Sequence, residues 1–258
     1  MTGLLLTALL GPGFFSPVLA AAASPGMVRI PGGSYTPFYA LKKGPVKLPA
    51  FELDAYPVSN ADYLTFVRQH PRWRRDQVKP VFADRQYLLH WPDPLRILPE
   101  QAQQPVNYVS WFAARAYCQA QGKKLPTQDQ WEFVARASES AADASADPRF
   151  RQRILDWYAR PTPRELGSLG STYRNVYGVY DMHGLLWEWV RDFNTVMVTG
   201  ESREDSSFDR NLFCAGGALD GADPSYYASY MRYAFRSSLK GQYGLKNLGF
   251  RCAKEVTP

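Results

Sequence analysis

The last third of the chain constrains the fold most. There Asn175-Val-Tyr-Gly178-Val-Tyr-Asp181-Met-His-Gly184-Leu-Leu-Trp187-Glu188-Trp189 is followed by Gly216-Gly217 and then by Asn247-Leu-Gly-Phe-Arg-Cys252. Tryptophan, glycine and acidic residues at these spacings are not generic composition. Across the chain, 7 Trp, 16 Tyr and 14 Phe accompany 19 Gly and 20 Pro, so large apolar rings alternate with many turns. That mixture suits a loop-rich α+β domain with little regular secondary structure, and not a helical bundle. A hydrophobic share of 45% argues against disorder.

At 258 residues the chain can bury one substantial core, consistent with a single domain. Its formal charge of +6 favours acidic partners or surfaces. The basic residues are scattered apart from Arg72-Trp-Arg-Arg75 and Lys123-Lys124, and they read as solvated surface. With no nucleic-acid motif beside them, nucleic acid is not an expected partner. Residues 1–23 hold a short apolar run, from Leu4 through Phe14-Phe15 to Val18-Leu-Ala20-Ala-Ala-Ala23, which reads as a secretory signal peptide. No Lys or Arg precedes it, and Gly11-Pro12-Gly13 breaks it, so no stable membrane span is expected. The expected location is periplasmic or secreted.

Downstream, Met27-Val-Arg-Ile30 runs as a strand into the Gly32-Gly33 turn, and Phe51-Glu-Leu-Asp-Ala-Tyr56 alternates as a second strand. Ser59 caps a helix with Tyr63, Phe66 and Val67 on one face, ending before Pro71. Residues 72–104 read as ordered loops. Ser110 caps a second helix with Phe112, Ala113, Ala116, Tyr117 and Ala120 as its apolar face and Gly122 as its stop. Thr127 and Gln130 form a capping box that opens a third, reaching about Ala137. The small polar stretch 138–147 reads as a mobile surface loop.

Ordered short motifs run from Met27 to about Lys254: Ile30-Pro-Gly-Gly33, Tyr56-Pro-Val-Ser-Asn60, Pro105-Val-Asn-Tyr-Val-Ser-Trp111, Ala116-Tyr-Cys118, Gly122-Lys-Lys-Leu-Pro-Thr127 and Trp131-Glu132, then the C-terminal runs above. Together they resemble the formylglycine-generating enzyme (sulfatase-modifying factor) family, with residues 27–254 as the domain. The resemblance implies that family's α+β fold, a variant of the C-type-lectin-like architecture. It also implies a structural disulfide between Cys118 and Cys252.

In the oxidising members, two cysteines follow the Gly-Gly, bind copper(I) and convert a substrate cysteine to formylglycine with O2. Here no cysteine lies between Ala215 and Arg251, so the resemblance does not extend to that activity. Linear copper(I) needs two soft ligands. Cys214, before the Gly-Gly, is either a small buried residue or a reactive thiol and copper ligand, which would need Met231 or Met197 as a partner.

The family also places Ca2+ in the turn before Trp-Glu-Trp. Carried over, the metal ligands are the Asp181 side chain, the Gly184 and Leu186 carbonyls and the Glu188 carboxylate, a hard-oxygen set suited to calcium. The alternative is that Asp181 caps a turn while Glu188 pairs with an arginine. His70, His90 and His183 are isolated and read as surface or core, and Trp111, Trp131, Trp187 and Trp189 as core. Arg232, Arg236 and Arg251 either line a pocket for an acidic ligand or bridge loops through carbonyls. Tyr226, Tyr227, Tyr230 and Tyr233 either form a binding face or pack inside.

Three functions follow. The first is an exported non-catalytic accessory protein with a periplasmic protein partner. Met231-Arg-Tyr-Ala-Phe-Arg-Ser-Ser-Leu239 with Phe213-Cys-Ala-Gly-Gly217 resembles members that accompany copper nitrite reductases in denitrification, with a role in maturation or metal supply. The second is a periplasmic oxidoreductase of siderophore-tailoring type, with Asp220, Asp223 or Glu255 as general base. The third is a regulatory partner-binding domain. The accessory reading is the one adopted.

Overall fold

A computed structural model describes residues 26–37, 44–194 and 224–256, the side chains of 224–226 excepted. Strand β1 (Met27–Ile30), β2 (Gly33–Tyr35), β3 (Val46–Leu48) and β4 (Phe51–Asp54) come first. β4 buries Phe51 and Leu53 and leaves Glu52 and Asp54 half-buried, the two-residue period its sequence dictates. It pairs antiparallel with β1 on one side and with β7 (Ala253–Glu255) on the other, so both ends of the domain meet in one sheet. β2 and β3 form a separate antiparallel pair. β5 (Trp187–Glu188) and β6 (Leu248–Gly249) pair in parallel.

Helices α1 (Asn60–Gln69), α2 (Trp111–Ala120) and α3 (Gln128–Ala135) start where the capping residues place them. Ser59 Oγ accepts from Asp62 N at 3.0 Å, and Ser110 Oγ from Ala113 N at 3.2 Å. Thr127 Oγ1 accepts from Gln130 N while Gln130 Oε1 accepts from Thr127 N, closing the capping box. Gly122 follows α2 at φ +66°, the left-handed turn that glycine adopts at little cost.

Two further helices, α4 (Pro148–Ala159) and α5 (Pro224–Ser237), lie where no helix was expected. The stretch 138–147 is also pinned, in place of the mobile loop expected. Ser138 N donates to Ala141 O, Ala144 N donates to Arg136 O at 2.8 Å, and Ala144 is buried. No helix among the described residues is long and apolar enough to cross a membrane.

The core gathers under α1 and α2. Tyr63 stacks on Tyr117 at 5.7 Å and meets Phe250 edge-on, and its hydroxyl lies 2.8 Å from that of Tyr87. Beside this cluster Cys118 of α2 is bonded to Cys252, with Cα atoms 5.6 Å apart and a sequence separation of 134. Closing so long a loop is worth about 5 kcal/mol in the chain-entropy model, and about 2–5 kcal/mol when native disulfides are removed. Urea unfolding of the Cys118→Ser/Cys252→Ser protein is therefore expected to show a loss of about 2–5 kcal/mol. A loss below about 0.5 kcal/mol would remove the bridge from the account of the fold.

Candidate functional site

The motif-rich turn is built around two buried acids. Asp181, at φ +59° and fully buried, occupies a left-handed position that aspartate tolerates through local hydrogen bonds. Its Oδ2 accepts from Gly170 N at 2.5 Å, and its Oδ1 from Thr172 N at 3.1 Å and Thr172 Oγ1 at 2.8 Å. Glu188 on β5 meets Arg251 head-on. Oε1 accepts from Nη2 at 2.7 Å, while Oε2 accepts from Nε at 2.8 Å and from Trp131 Nε1 at 2.8 Å. Arg251 also donates to Asp54 O, Ala55 O and Tyr180 O, so it both pairs with an acid and bridges carbonyls.

Calcium needs oxygen lone pairs that no competing proton occupies. At Asp181 and Glu188 every carboxylate oxygen already faces a donor, and Arg251 neutralises Glu188. In this arrangement Asp181 caps a turn and Glu188 pairs with Arg251, the alternative to a calcium site of Asp181, Gly184, Leu186 and Glu188. Among the described residues no group of three or more His, Cys, Asp or Glu is arranged to hold a metal.

A second centre adjoins the first through the dipeptide Trp131-Glu132. Where Trp131 reaches Glu188, Glu132 receives two arginines from α5. Arg232 Nη2 lies 2.6 Å from Glu132 Oε2, and Arg236 Nη1 lies 2.7 Å from Oε1. Arg236 also stacks 4.6 Å over the Trp131 ring. Burial opposes ionisation of Glu132, but Arg232 and Arg236 prevail and hold its carboxyl at about 2. Arg232 is spent further on Tyr158 and Ser229.

Above this triad opens a cleft of about 350 Å³, walled by Tyr35, Arg136, Phe150 and Ser229 and floored by Glu132 and Arg232. Its lining sets Arg136, Arg151 and Arg232 against Glu132 and Asp143, net positive. A general base works best with a pKa near the ambient pH, and Glu132 is far below it. Burial, then Tyr233 and Asp129, push the Tyr35 hydroxyl upward, away from the neutral range. Neither Glu132 nor Tyr35 is poised to exchange a proton near neutral pH.

The sequence brought some of these residues into view and missed others. Glu132 was recognised as part of a motif but not as an arginine partner, because its partners lie 100 or more residues away. Of the tyrosine cluster, Tyr230 and Tyr233 pack inside and Tyr227 is exposed; the Tyr226 side chain, like residues 1–23, Met197, Cys214, Gly216, Gly217, Asp220 and Asp223, lies outside the described residues. Met231 is half-buried on α5. Glu255 is on the surface, 3.0 Å from Lys124, far from the role of a pocket base. Trp131 and Trp189 are core, whereas Trp111 and Trp187 are half-buried at its edge.

His183 is buried among Trp131, Phe150 and Tyr173, its Nε2 2.9 Å from Ala135 O. Burial and then Arg232 push its pKa down to about 3. Burial and then Arg75 push His90 down to about 4. The unfolded chain takes up both protons below about pH 6.5, whereas the folded chain takes them up only near 4 and 3. Stability is therefore full above the unfolded value and falls as pH drops through this window. Thermal unfolding followed from pH 7 to 4 should show a falling Tm, less steep in His90→Gln and His183→Gln; an unchanged slope in both variants would refute the assignment. Separately, Glu188→Gln leaves Arg251 buried beside a neutral partner and is expected to cost about 3–5 kcal/mol in urea unfolding. A cost under about 1 kcal/mol would show that Arg251 is held by its carbonyls alone.

Comparison with known proteins accords with this frame. The family described as sulfatase-modifying factor enzyme 1-like domain (FGE-sulfatase) matches residues 16–256. The chain is 28% identical to inactive C-alpha-formylglycine-generating enzyme 2 of Mus musculus, over 92% of this chain and 88% of that one. It is also 28% identical to the formylglycine-generating enzyme of Streptomyces coelicolor, over 93% and 96%. Among solved structures CarF is similar at a TM-score of 0.49 and 15% identity, covering 90% of this chain and 98% of that one. With a match that takes in the Glu188 turn, the Trp131-Glu132 helix and the Arg251-Cys252 end, this chain belongs to the sulfatase-modifying factor enzyme 1-like (FGE-sulfatase) family.

Proposed function

We propose that the protein is an exported accessory member of this family that does not generate formylglycine and that assists maturation or metal supply of a copper nitrite reductase. We also assign it to the C-type-lectin-like variant of the fold. One observation carries the non-catalytic part. Of three cysteines in the chain, Cys118 and Cys252 are bonded to each other, leaving Cys214 as the one cysteine outside that bridge. Two thiolates are needed to hold copper(I) linearly, and one chain cannot supply them. Identity alone does not decide the matter, because an inactive and an active relative score alike. The cysteine count favours the inactive reading.

The finer assignment rests on the runs 213–217 and 231–239, and the periplasmic or secreted location on the apolar leader 1–23. Among the described residues, altered oxidative chemistry finds only poor bases. Glu132 is clamped between arginines, and the exposed carboxyl of Glu255 is lowered by Lys124. A regulatory partner-binding role shares these observations and is separated from the accessory one by which genes lie beside this one.

Thiol titration of the denatured, unreduced protein is expected to find one thiol per chain, and three after reduction. Incubation with copper(I), O2 and a cysteine-containing sulfatase peptide is expected to give no aldehyde; aldehyde formation overturns the proposal. Copper that is bound by the purified protein and lost in Cys214→Ser assigns metal supply, whereas copper-free protein assigns maturation by binding alone.

A further inference from the structure

We infer that the face between the turn Pro71–Trp73 and the outer side of α2 docks an acidic segment of a partner protein, with an apolar side chain of that segment seated on an aromatic floor. This deepens the partner-binding reading above and rests on it. The floor is Trp73, Phe82 and Phe112, in edge-to-face contact at 6.0 and 5.5 Å, under a cleft of about 370 Å³. Such a volume suits one large side chain with its flanking backbone and lies near the lower end for small-molecule sites. Phe82 is 38% exposed and Val81 66% exposed, so the apolar surface continues beyond the cleft.

Charge selects the occupant. Arg72 and Lys79 stand on one wall and Arg115 on the other, and among the described residues no Asp or Glu lines the cleft. Among the described residues none of the three has a carboxylate within ion-pair distance; nearby Asp76 is already taken by Arg74. Arg72 lies 5.5 Å over Trp73 and Arg115 lies 5.3 Å over Trp111. Guanidinium groups laid on rings keep their N–H edges available for carboxylates. In the Glu132 cleft, by contrast, the arginines are consumed internally.

A buried donor lies beside the cleft. Trp73 is 7% exposed, lines the cleft, and its Nε1–H has no partner among the described residues. Buried indole N–H groups ordinarily find an acceptor. The wall is rigid. Phe112, Arg115 and Gln119 fall at i, i+3 and i+7 on α2, whose opposite face buries Ala113, Ala114, Tyr117 and the bridged Cys118. The pattern that fits is acid, apolar, acid, with cations flanking an aromatic seat.

The test is calorimetric titration of the whole protein with the peptide acetyl-Glu-Asp-Phe-Asp-Glu-amide. Binding at a Kd of about 1 mM or tighter is expected. Replacing the peptide's Phe by Ser, or reversing charge in the protein with Arg72→Glu/Arg115→Glu, should weaken it about tenfold or more. A lysine-for-acid peptide should not bind. The double variant's far-UV circular dichroism and Tm should match wild type, since both side chains are on the surface. No binding at about 1 mM, or equal binding by the double variant, overturns the inference. So does tighter binding of an oligothymidylate or of anionic lipid vesicles that the double variant loses, or a dimer in sedimentation that it abolishes. Aldehyde formation in the sulfatase-peptide assay sinks the accessory reading, whereas failure of this titration alone removes only the docking face.

Discussion

The buried pair of Glu188 and Arg251 is the interaction on which the rest of the structure depends. Both side chains are fully withdrawn from water. Such a pair contributes little net stability over an apolar pair of equal volume, because desolvation offsets attraction. Its value is in uniqueness. Arg251 donates to Glu188 and to three backbone carbonyls from β4, its following loop and the Asp181 turn. Only one mutual placement of these segments satisfies all of its donors, and an unpaired charge there is costly. Loops that lack regular structure thereby acquire a single arrangement.

Trp131-Glu132 extends that centre into a second. Adjacent residues on a helix point in different directions, so the indole can serve Glu188 while the carboxylate receives Arg232 and Arg236. α5, which carries both arginines, is thus fastened to α3 by charge. Neighbouring rings add to the fastening, with Phe235 4.5 Å from Trp187. The aromatic core, capped turns and the Cys118–Cys252 bridge hold the domain together, while the buried ion pairs fix its arrangement.

Local signals were legible wherever a side chain caps its own helix. Ser59, Ser110 and Thr127 marked three starts correctly, because a cap is decided within four residues. The two unanticipated helices also carried a readable signal. α4 begins at Asp147-Pro148 and α5 at Pro224, which Asp223 precedes, and an acid before proline is a favoured helix opening. Polar and aromatic composition on either side obscured it. The Cys118–Cys252 pairing came through family resemblance alone, since spacing could not distinguish it from other pairings. The calcium expectation met a different arrangement because Arg251 approaches Glu188 across 63 positions of sequence.

By itself the sequence determined the class of fold, the strand and helix starts set by caps and alternation, and the shortage of thiols on which the accessory reading rests. These are properties of composition and of neighbours within a few residues. Only the tertiary structure decided which charges meet. It spent Arg232, Arg236 and Arg251 on internal acids, divided the tyrosines between interior and surface, and left Arg72, Lys79 and Arg115 around an aromatic seat with no carboxylate among the described residues. Ion pairing depends on distance in space and on the water excluded around it, and neither quantity is written in the order of residues along a chain.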